Sequence, residues 1–374
     1  MTRKEAFIAL NMVPNIGPVR LRSLLEVFES PERVLSARRE ELHAVAGLNR
    51  SVIDSLVSWE TAVDLTSELR RIREFEATVV TLEEPDYPEL LREIHDPPTA
   101  LYVWGRLDPR DKNAVGVVGS RRPSHYGLEC SKKISFQIAY AGLTVVSGLA
   151  LGIDTAAHQG ALAAKGRTIA VLGGGLFHLY PPENRALAEK IAASGAVVTE
   201  FPMDAKPDRQ TFPIRNRIIS GWGFGLLVVE AGLNSGALIS ASQALDQGRS
   251  LYAIPGPIDR PSSQGSNRLI QQGAKLVMNV DDILEDLQTL FPKPPALTPS
   301  KPPGLEGDLL KVYDAIGSQE TSIARLSNAR DCQRALSQSR CSNSKCNTSY
   351  ANYPVSISLS SCNSFSFATS PLAL

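Results

Sequence analysis

The sequence predicts an α/β protein: a doubly wound parallel sheet preceded by a small all-helical domain. Three observations carry this. Six short β-rich runs alternate with helical stretches from about residue 114 onward. Those runs are nearly continuous in apolar residues, the pattern of strands covered on both faces. Residues 10–57 instead repeat a helical pattern twice. With 374 residues, 43% of them hydrophobic, the chain can build two or three domains around at least one large core. No apolar run approaches the ~18 residues of a membrane-spanning helix. The N-terminus "MTRKEAFIALNMVPNIG" lacks the apolar core and cleavage site of a signal peptide, so a cytoplasmic location is expected. The 39 basic and 39 acidic residues balance, so any polyanion binding must come from a local concentration of cations.

The helical domain is expected over 1–75. Its segments "LNMVPNIGPVRLRSLL" (10–25) and "LHAVAGLNRSVIDSLV" (42–57) superimpose, pairing Leu10 with Leu42, Val13 with Val45, Ile16 with Leu48, Leu21 with Ile53 and Leu24 with Leu56. Apolar spacings of three to five around a short turn describe a helical hairpin. In the turn Asn15 aligns with Gly47 and Gly17 with Asn49, and both residue types tolerate left-handed backbone angles. The pattern resembles the helix-hairpin-helix motif, whose turn amides can contact DNA phosphates. A small packing domain is the plainer reading.

The sheet domain is expected over 76–290. Its strand candidates are 114–119, 143–148, 168–173, 196–201, 225–231 and 250–256. In parallel sheets ligands bind outside the carboxyl ends of the strands. Those ends carry Gly119-Ser120-Arg121-Arg122, Ser147-Gly148, Gly173-Gly174-Gly175 and the run from Gly232 to Ser235 and Gly236. The segment "FPIRNRIISG" adds Arg215, Asn216 and Arg217. Small residues expose backbone amides, and helix N-termini favour anions. Several such loops with arginines on one rim predict an anion site.

Three anions were open at this point: a mononucleotide, a dinucleotide or a nucleic-acid backbone. G-x-G-x-x-G is absent after "VLGGG", and no Walker lysine follows "GVVGS", so neither a dinucleotide cofactor nor an ATPase is expected. The stretch "VVEAGLNSGALISASQAL" looks like the phosphate loop of the phosphoribohydrolases called lysine-decarboxylase-like, or LOG, proteins. Its helix lacks their glutamates, and Glu230 and Asp154 make no catalytic pair. A nucleotide hydrolase or a scaffold for a phosphorylated signal therefore remain alternatives to a strand-binding protein.

Taken together and in order, "VVGSRRPSHYG", "VVSGLALGIDTAAHQGAL", "TIAVLGGG…YPPEN", "FPIRNRIISG", "VVEAGLNSGALISASQALDQGR" and "YAIPGPID…GSNRLIQQGA" resemble the DNA-processing protein A family (DprA, also called Smf). The resemblance runs from about residue 80 to 290. It implies an extended Rossmann domain that binds single-stranded DNA, protects incoming strands during natural transformation and loads the recombinase RecA. It further implies a homodimer, no enzymatic activity and no cofactor. Ser120 and Arg121 match family positions; Gly119, Ser147, Gly148, Gly173, Gly175, Arg215, Asn216, Arg217, Ser235 and Gly236 complete the expected phosphate pocket. Two positions depart from the pattern: Phe177 stands where the family usually has Asp, and Trp222 where it usually has Leu.

Beyond the sheet a Pro-rich linker is expected over 291–306, stiff and extended. From 307 a helical stripe of Leu309, Leu310, Val312, Tyr313 and Ile316 begins like a winged-helix module. After Ile323 the chain turns rich in Ser, Asn and Cys and reads as aperiodic, which points to a shifted reading frame or a disordered tail. Four of the five cysteines, Cys332, Cys341, Cys346 and Cys362, fall there; with no CxxC pair and scattered histidines, no metal site is expected.

Overall fold

The structure, a computed structural model, describes residues 1–287 and the backbone of two short strands nearer the C-terminus. Each copy of the N-terminal repeat folds as a helical hairpin: α1 (Arg3–Met12) with α2 (Pro18–Phe28), and α4 (Arg39–His43) with α5 (Arg50–Val57). Helix α3 (Pro31–Ser36) joins them, and α6 (Trp59–Ala62) and α7 (Leu65–Glu74) follow. Leu10, Val13, Leu21 and Leu24 bury together with their counterparts Leu42, Val45, Ile53 and Leu56; Ile16 and Leu48 pack at the edge of that core.

The exchanged turn residues divide their work by position. Asn15 and Gly47 both adopt left-handed backbone, at φ 66° and 82°. Gly17 and Asn49 are extended N-caps of α2 and α5, at φ −96° and −87°. So only the first position of each turn needs a left-handed residue. At the second, the Asn49 side chain accepts from the Val52 N–H at 3.0 Å. Gly17 has no such group, and Pro18 at the first helical position has no N–H to satisfy.

All six expected strands form, each ending before the loop residues that leave the ladder. They are β3 (Ala114–Val118), β4 (Thr144–Ser147), β5 (Thr168–Val171), β6 (Ala196–Thr199), β7 (Gly225–Val228) and β8 (Ser250–Ala253). Between them lie α9 (His125–Tyr140), α10 (Ile153–Ala163), α11 (Arg185–Ser194), α12 (Thr211–Gly221) and α13 (Gly236–Asp246). Beyond β8 come α14 (Gln264–Gln271), the two-residue β9 (Lys275–Leu276) and α15 (Asp281–Leu287). The strands from β3 to β9 are parallel.

The expected parallel sheet carries an antiparallel edge. Two further strands, β1 (Thr78–Thr81) and β2 (Ala100–Gly105), flank the four-residue helix α8 (Glu89–Arg92) and extend the β6 edge antiparallel. The nine strands run β1-β2-β6-β5-β4-β3-β7-β8-β9. Alternate residues of β3 enter different cores, Val115 and Val117 on one face and Ala114 and Val118 on the other. That two-sided burial is why the strand reads as a continuous apolar run. Trp222 is fully buried and donates its indole N–H to the Asp111 carbonyl at 3.2 Å, so this departure from the family pattern is a packing element.

The helices seat directly on the sheet. Asn11 Nδ2 donates to the Glu200 carbonyl at 2.8 Å, and buried Glu68 accepts the Met203 N–H at 2.7 Å. Met1–Pro292 is accordingly one compact unit. In the C-terminal unit, β10 (Ser356–Ser360) pairs antiparallel with β11 (Ser364–Ala368), with Ile357 opposite Phe367 and Leu359 opposite Phe365. This corrects the aperiodic reading of the tail: in "SISLS" and "SFSFA" apolar residues alternate with serine at the strand period. The linker and the winged-helix-like start lie outside the described residues. No helix among those described is long and apolar enough to cross a membrane.

The turn geometry is testable. A Cβ at Gly47 meets nothing within 4 Å, so Gly47→Ala tests the backbone angle alone. Gly47→Ala and Asn15→Ala are expected to cost about 1–2 kcal/mol each in urea unfolding. Asn15→Gly should stay within about 0.5 kcal/mol of the parent.

Candidate functional site

Strand order reverses around β3. The chain leaves β3 for β4 on one side and returns from α12 into β7 on the other. The loops after β3 and β7 therefore diverge and leave a crevice at the carboxyl edge. A cleft of about 360 Å³ opens there. Of the expected residues, Gly119, Arg121, Arg215, Asn216, Ser235 and Gly236 line it. Ser235 caps α13, accepting from the Ala237 N–H at 3.3 Å, so the positive end of that helix faces the cleft.

The remaining expected residues shape the edge from behind. Ser120 forms the loop: its N–H donates to the Glu230 carbonyl at 2.8 Å and its Oγ accepts from the Arg122 N–H at 3.1 Å. Buried Ser147 donates to the Val117 carbonyl at 2.6 Å and ties β4 to β3. Gly173 packs on the Phe212 ring, and Gly175 meets the Pro202 and Met203 carbonyls so closely that a Cβ would stand 2.2 Å from each. These two glycines serve close packing.

Arg217 departs from its expected place on the rim. The segment "FPIRNRIISG" lies within helix α12, and residues two apart on a helix do not share a face. Arg217 is buried away from the cleft, with Nη2 2.5 Å from Glu200 Oε2 and Nε 2.9 Å from Asp96 Oδ2. Burial pushes the Glu200 carboxyl up from its ordinary range, and Arg217 offsets only part of this.

Arg215 lies on the cleft side, 4% exposed. Its Nη1 donates to the carbonyls of Gly148, at 2.7 Å, and Val171. Burial pushes the guanidinium down to about 10, which leaves it cationic at neutral pH. Asp154 is buried beside it, accepting from the Gly148 and Ala150 N–H groups at 3.1 and 3.3 Å. Desolvation raises that carboxyl, against the pull of Arg215 and Arg121. Deeper still, His158 Nδ1 lies 2.7 Å from Thr168 Oγ1, whose own hydroxyl donates to the Val145 carbonyl at 2.8 Å. The imidazole is therefore the donor to Thr168, and burial pushes its pKa down to about 3.

Two residues of the cleft escaped the sequence reading. Arg209 is exposed at its margin, just before α12. Phe212 lies beneath Arg121, whose guanidinium carbon stands 4.9 Å from the ring centroid. The available signal was Asp208, whose carboxylate accepts from the Gln210 and Thr211 N–H groups and fixes the turn into α12. Among the described residues, Arg121 and Arg209 form no ion pair. Nor does any cluster of three His, Cys, Asp or Glu residues converge there that could hold a metal.

Fold and site together define a Rossmann-like α/β protein with an arginine-lined cleft at its switch point. The family model for DNA recombination-mediator protein A matches residues 78–288, and the chain belongs to that family. It is 40% identical to protein Smf of Synechocystis over 285 residues, 75% of this chain and 72% of that protein. It is 41% identical to the DNA processing protein DprA of Bacillus subtilis over 220 residues, 59% of this chain and 74% of that protein. The crystal structure of Streptococcus pneumoniae DprA superposes with a TM-score of 0.68 at 34% identity, covering 76% of this chain and 99% of that one. A Helicobacter pylori DprA structure, described for its single-stranded DNA binding mode, superposes at TM-score 0.51 and 29% identity, covering 57% and 96%.

Two measurements check this geometry. Arg217→Met strands a buried carboxylate and is expected to cost about 3–5 kcal/mol in chemical denaturation; adding Glu200→Leu should restore most of it. His158 ties stability to pH. Its folded pKa of about 3 lies below the unfolded value of about 6.5, so the unfolded chain takes up the proton first as pH falls. Its contribution is present above about pH 6.5 and is lost toward pH 3, at about 1.4 kcal/mol per unit. His158→Asn should flatten that slope in urea titrations between these limits.

Proposed function

We propose that this protein binds the backbone of single-stranded DNA in the cleft at the carboxyl edge of its sheet. The observation that carries this is Arg121: an exposed guanidinium held over the Phe212 ring at the cleft mouth, with no carboxylate neutralising it. A cation over an aromatic face offers phosphate and base a contact each, and neither depends on sequence. Arg209, Arg215 and the N-terminus of α13 supply the rest of the positive field. Gly119, Ser120, Ser147, Gly148, Gly173, Gly175, Asn216, Ser235 and Gly236 shape the pocket around the phosphates.

A recombination mediator stands between strand and recombinase, and membership of that family supports the wider reading. The protein protects incoming single strands during natural transformation, acts as a homodimer in the cytoplasm and hands the strand to RecA. The phosphoribohydrolase alternative is not favoured. Asp154 is the one carboxylate among the cleft residues, and two backbone amides occupy it, which leaves no free acid–base pair for a glycosidic bond.

Fluorescence anisotropy with a labelled oligothymidylate tests the reading. Affinity should fall with salt at a log–log slope of about −0.7 per phosphate neutralised, and a duplex should bind more weakly. Arg121→Ala should weaken binding roughly ten- to a hundredfold at an unchanged melting temperature, and Arg121→Lys should restore only part. Unchanged affinity in Arg121→Ala, or a duplex bound as tightly, would overturn the assignment.

A further inference from the structure

The cleft accounts for Phe212 but leaves a second group of aromatic side chains without a task. Phe177 lies two residues beyond Gly175 on the loop after β5. It is 43% exposed, and Tyr180 on the same loop is 51% exposed.

Phe177 is held in place. Its ring meets Phe75 edge-to-face, centroids 5.5 Å apart at 81°, and Phe75 meets Trp104 in the same way at 5.3 Å and 75°. The Phe177 N–H donates to the Met203 carbonyl at 3.1 Å, and the Gly175 N–H to the Ala205 carbonyl at 2.7 Å. The loop is thus strapped to the segment that ends in Arg209. Tyr180 continues the path, its ring 5.9 Å from that of Phe212.

The charge around these rings suits a polyanion. Lys206 and Arg209 are exposed on the adjoining segment. Its two acids are occupied: Asp204 lies 2.8 Å from His178 Nε2 and 3.4 Å from Arg71, and Asp208 accepts backbone N–H groups.

The geometry points to Phe177, with Tyr180, as a second stacking platform that takes the bases of a single strand after it leaves the cleft toward α7. The inference rests on the proposed strand binding in the cleft. Its occupant is the next few nucleotides of the same strand, because the rings adjoin the cleft through Phe212 and carry unpaired cations alongside. Rings fixed in advance lose little freedom when a base stacks on them.

The test compares oligothymidylates of about 4 and about 16 nucleotides, one confined to the cleft and one long enough to pass beyond it. Phe177→Leu should weaken the long strand about fivefold or more and the short one less than about twofold, while Phe177→Tyr keeps both. Phe177→Trp should show indole fluorescence quenched by the long strand and not by the short. Equal losses at both lengths, no loss at either, or an unquenched Trp would overturn the platform and leave cleft binding standing. Failure of the unsubstituted protein to bind either length would overturn the cleft reading and the platform with it.

Discussion

Arg215 reaches from α12 beneath the cleft and fastens the Gly148 and Val171 carbonyls with one nitrogen. Those carbonyls lie where β4 and β5 release the chain into their loops, so one guanidinium sets the spacing of two strand ends and a helix. The contact leaves no room for a side chain at 148, where a Cβ would stand 2.2 Å from Nη1. Carbonyl acceptors also leave the charge in place, since neither oxygen carries a full negative charge. Asp154 lowers the cost of burying that cation from its own site on two amides. The guanidinium therefore lies in the floor of the cleft without a direct ion pair that a ligand would have to break.

Three arginines close in sequence or in space meet three fates, and backbone position decides each. Arg121 follows the end of β3 and stays exposed over the Phe212 ring. Arg215 faces the same cleft from below and is structural and electrostatic at once. Arg217, two residues on, turns to the opposite side of α12 and is consumed by Glu200 and Asp96. Arg121 and Arg215 thus bring positive charge to the cleft, while that of Arg217 is neutralised elsewhere.

Legibility followed the length scale of the signal. Strands buried on both faces announce themselves as apolar runs, and all six were readable. Strands β1 and β2 were not, because the four-residue α8 between them is too short to set a strand–helix rhythm. The hairpin repeat was legible down to its turn residues, yet which of them turns left-handed emerged only from the backbone. In the cleft, glycines and Arg121 were visible because small residues and a cation follow a strand directly. Arg209 lies just before α12 and Phe212 in its first turn, and no apolar spacing marks either. Arg217 was misplaced for a related reason: whether "FPIRNR" is loop or helix decides which side its two arginines take.

The pairing of β3 with β7 sets Val118 beside Val228, 110 residues further along the chain. A ribosome must have delivered most of the described sequence before that seam can close, and closure across so long a loop is among the slower steps a chain takes. One wall of the cleft belongs to each side of the seam: Arg121 follows β3, while Ser235 and α13 follow β7. Nascent or half-folded chains consequently hold only half a cleft. The complete cleft therefore exists only in chains folded through α13.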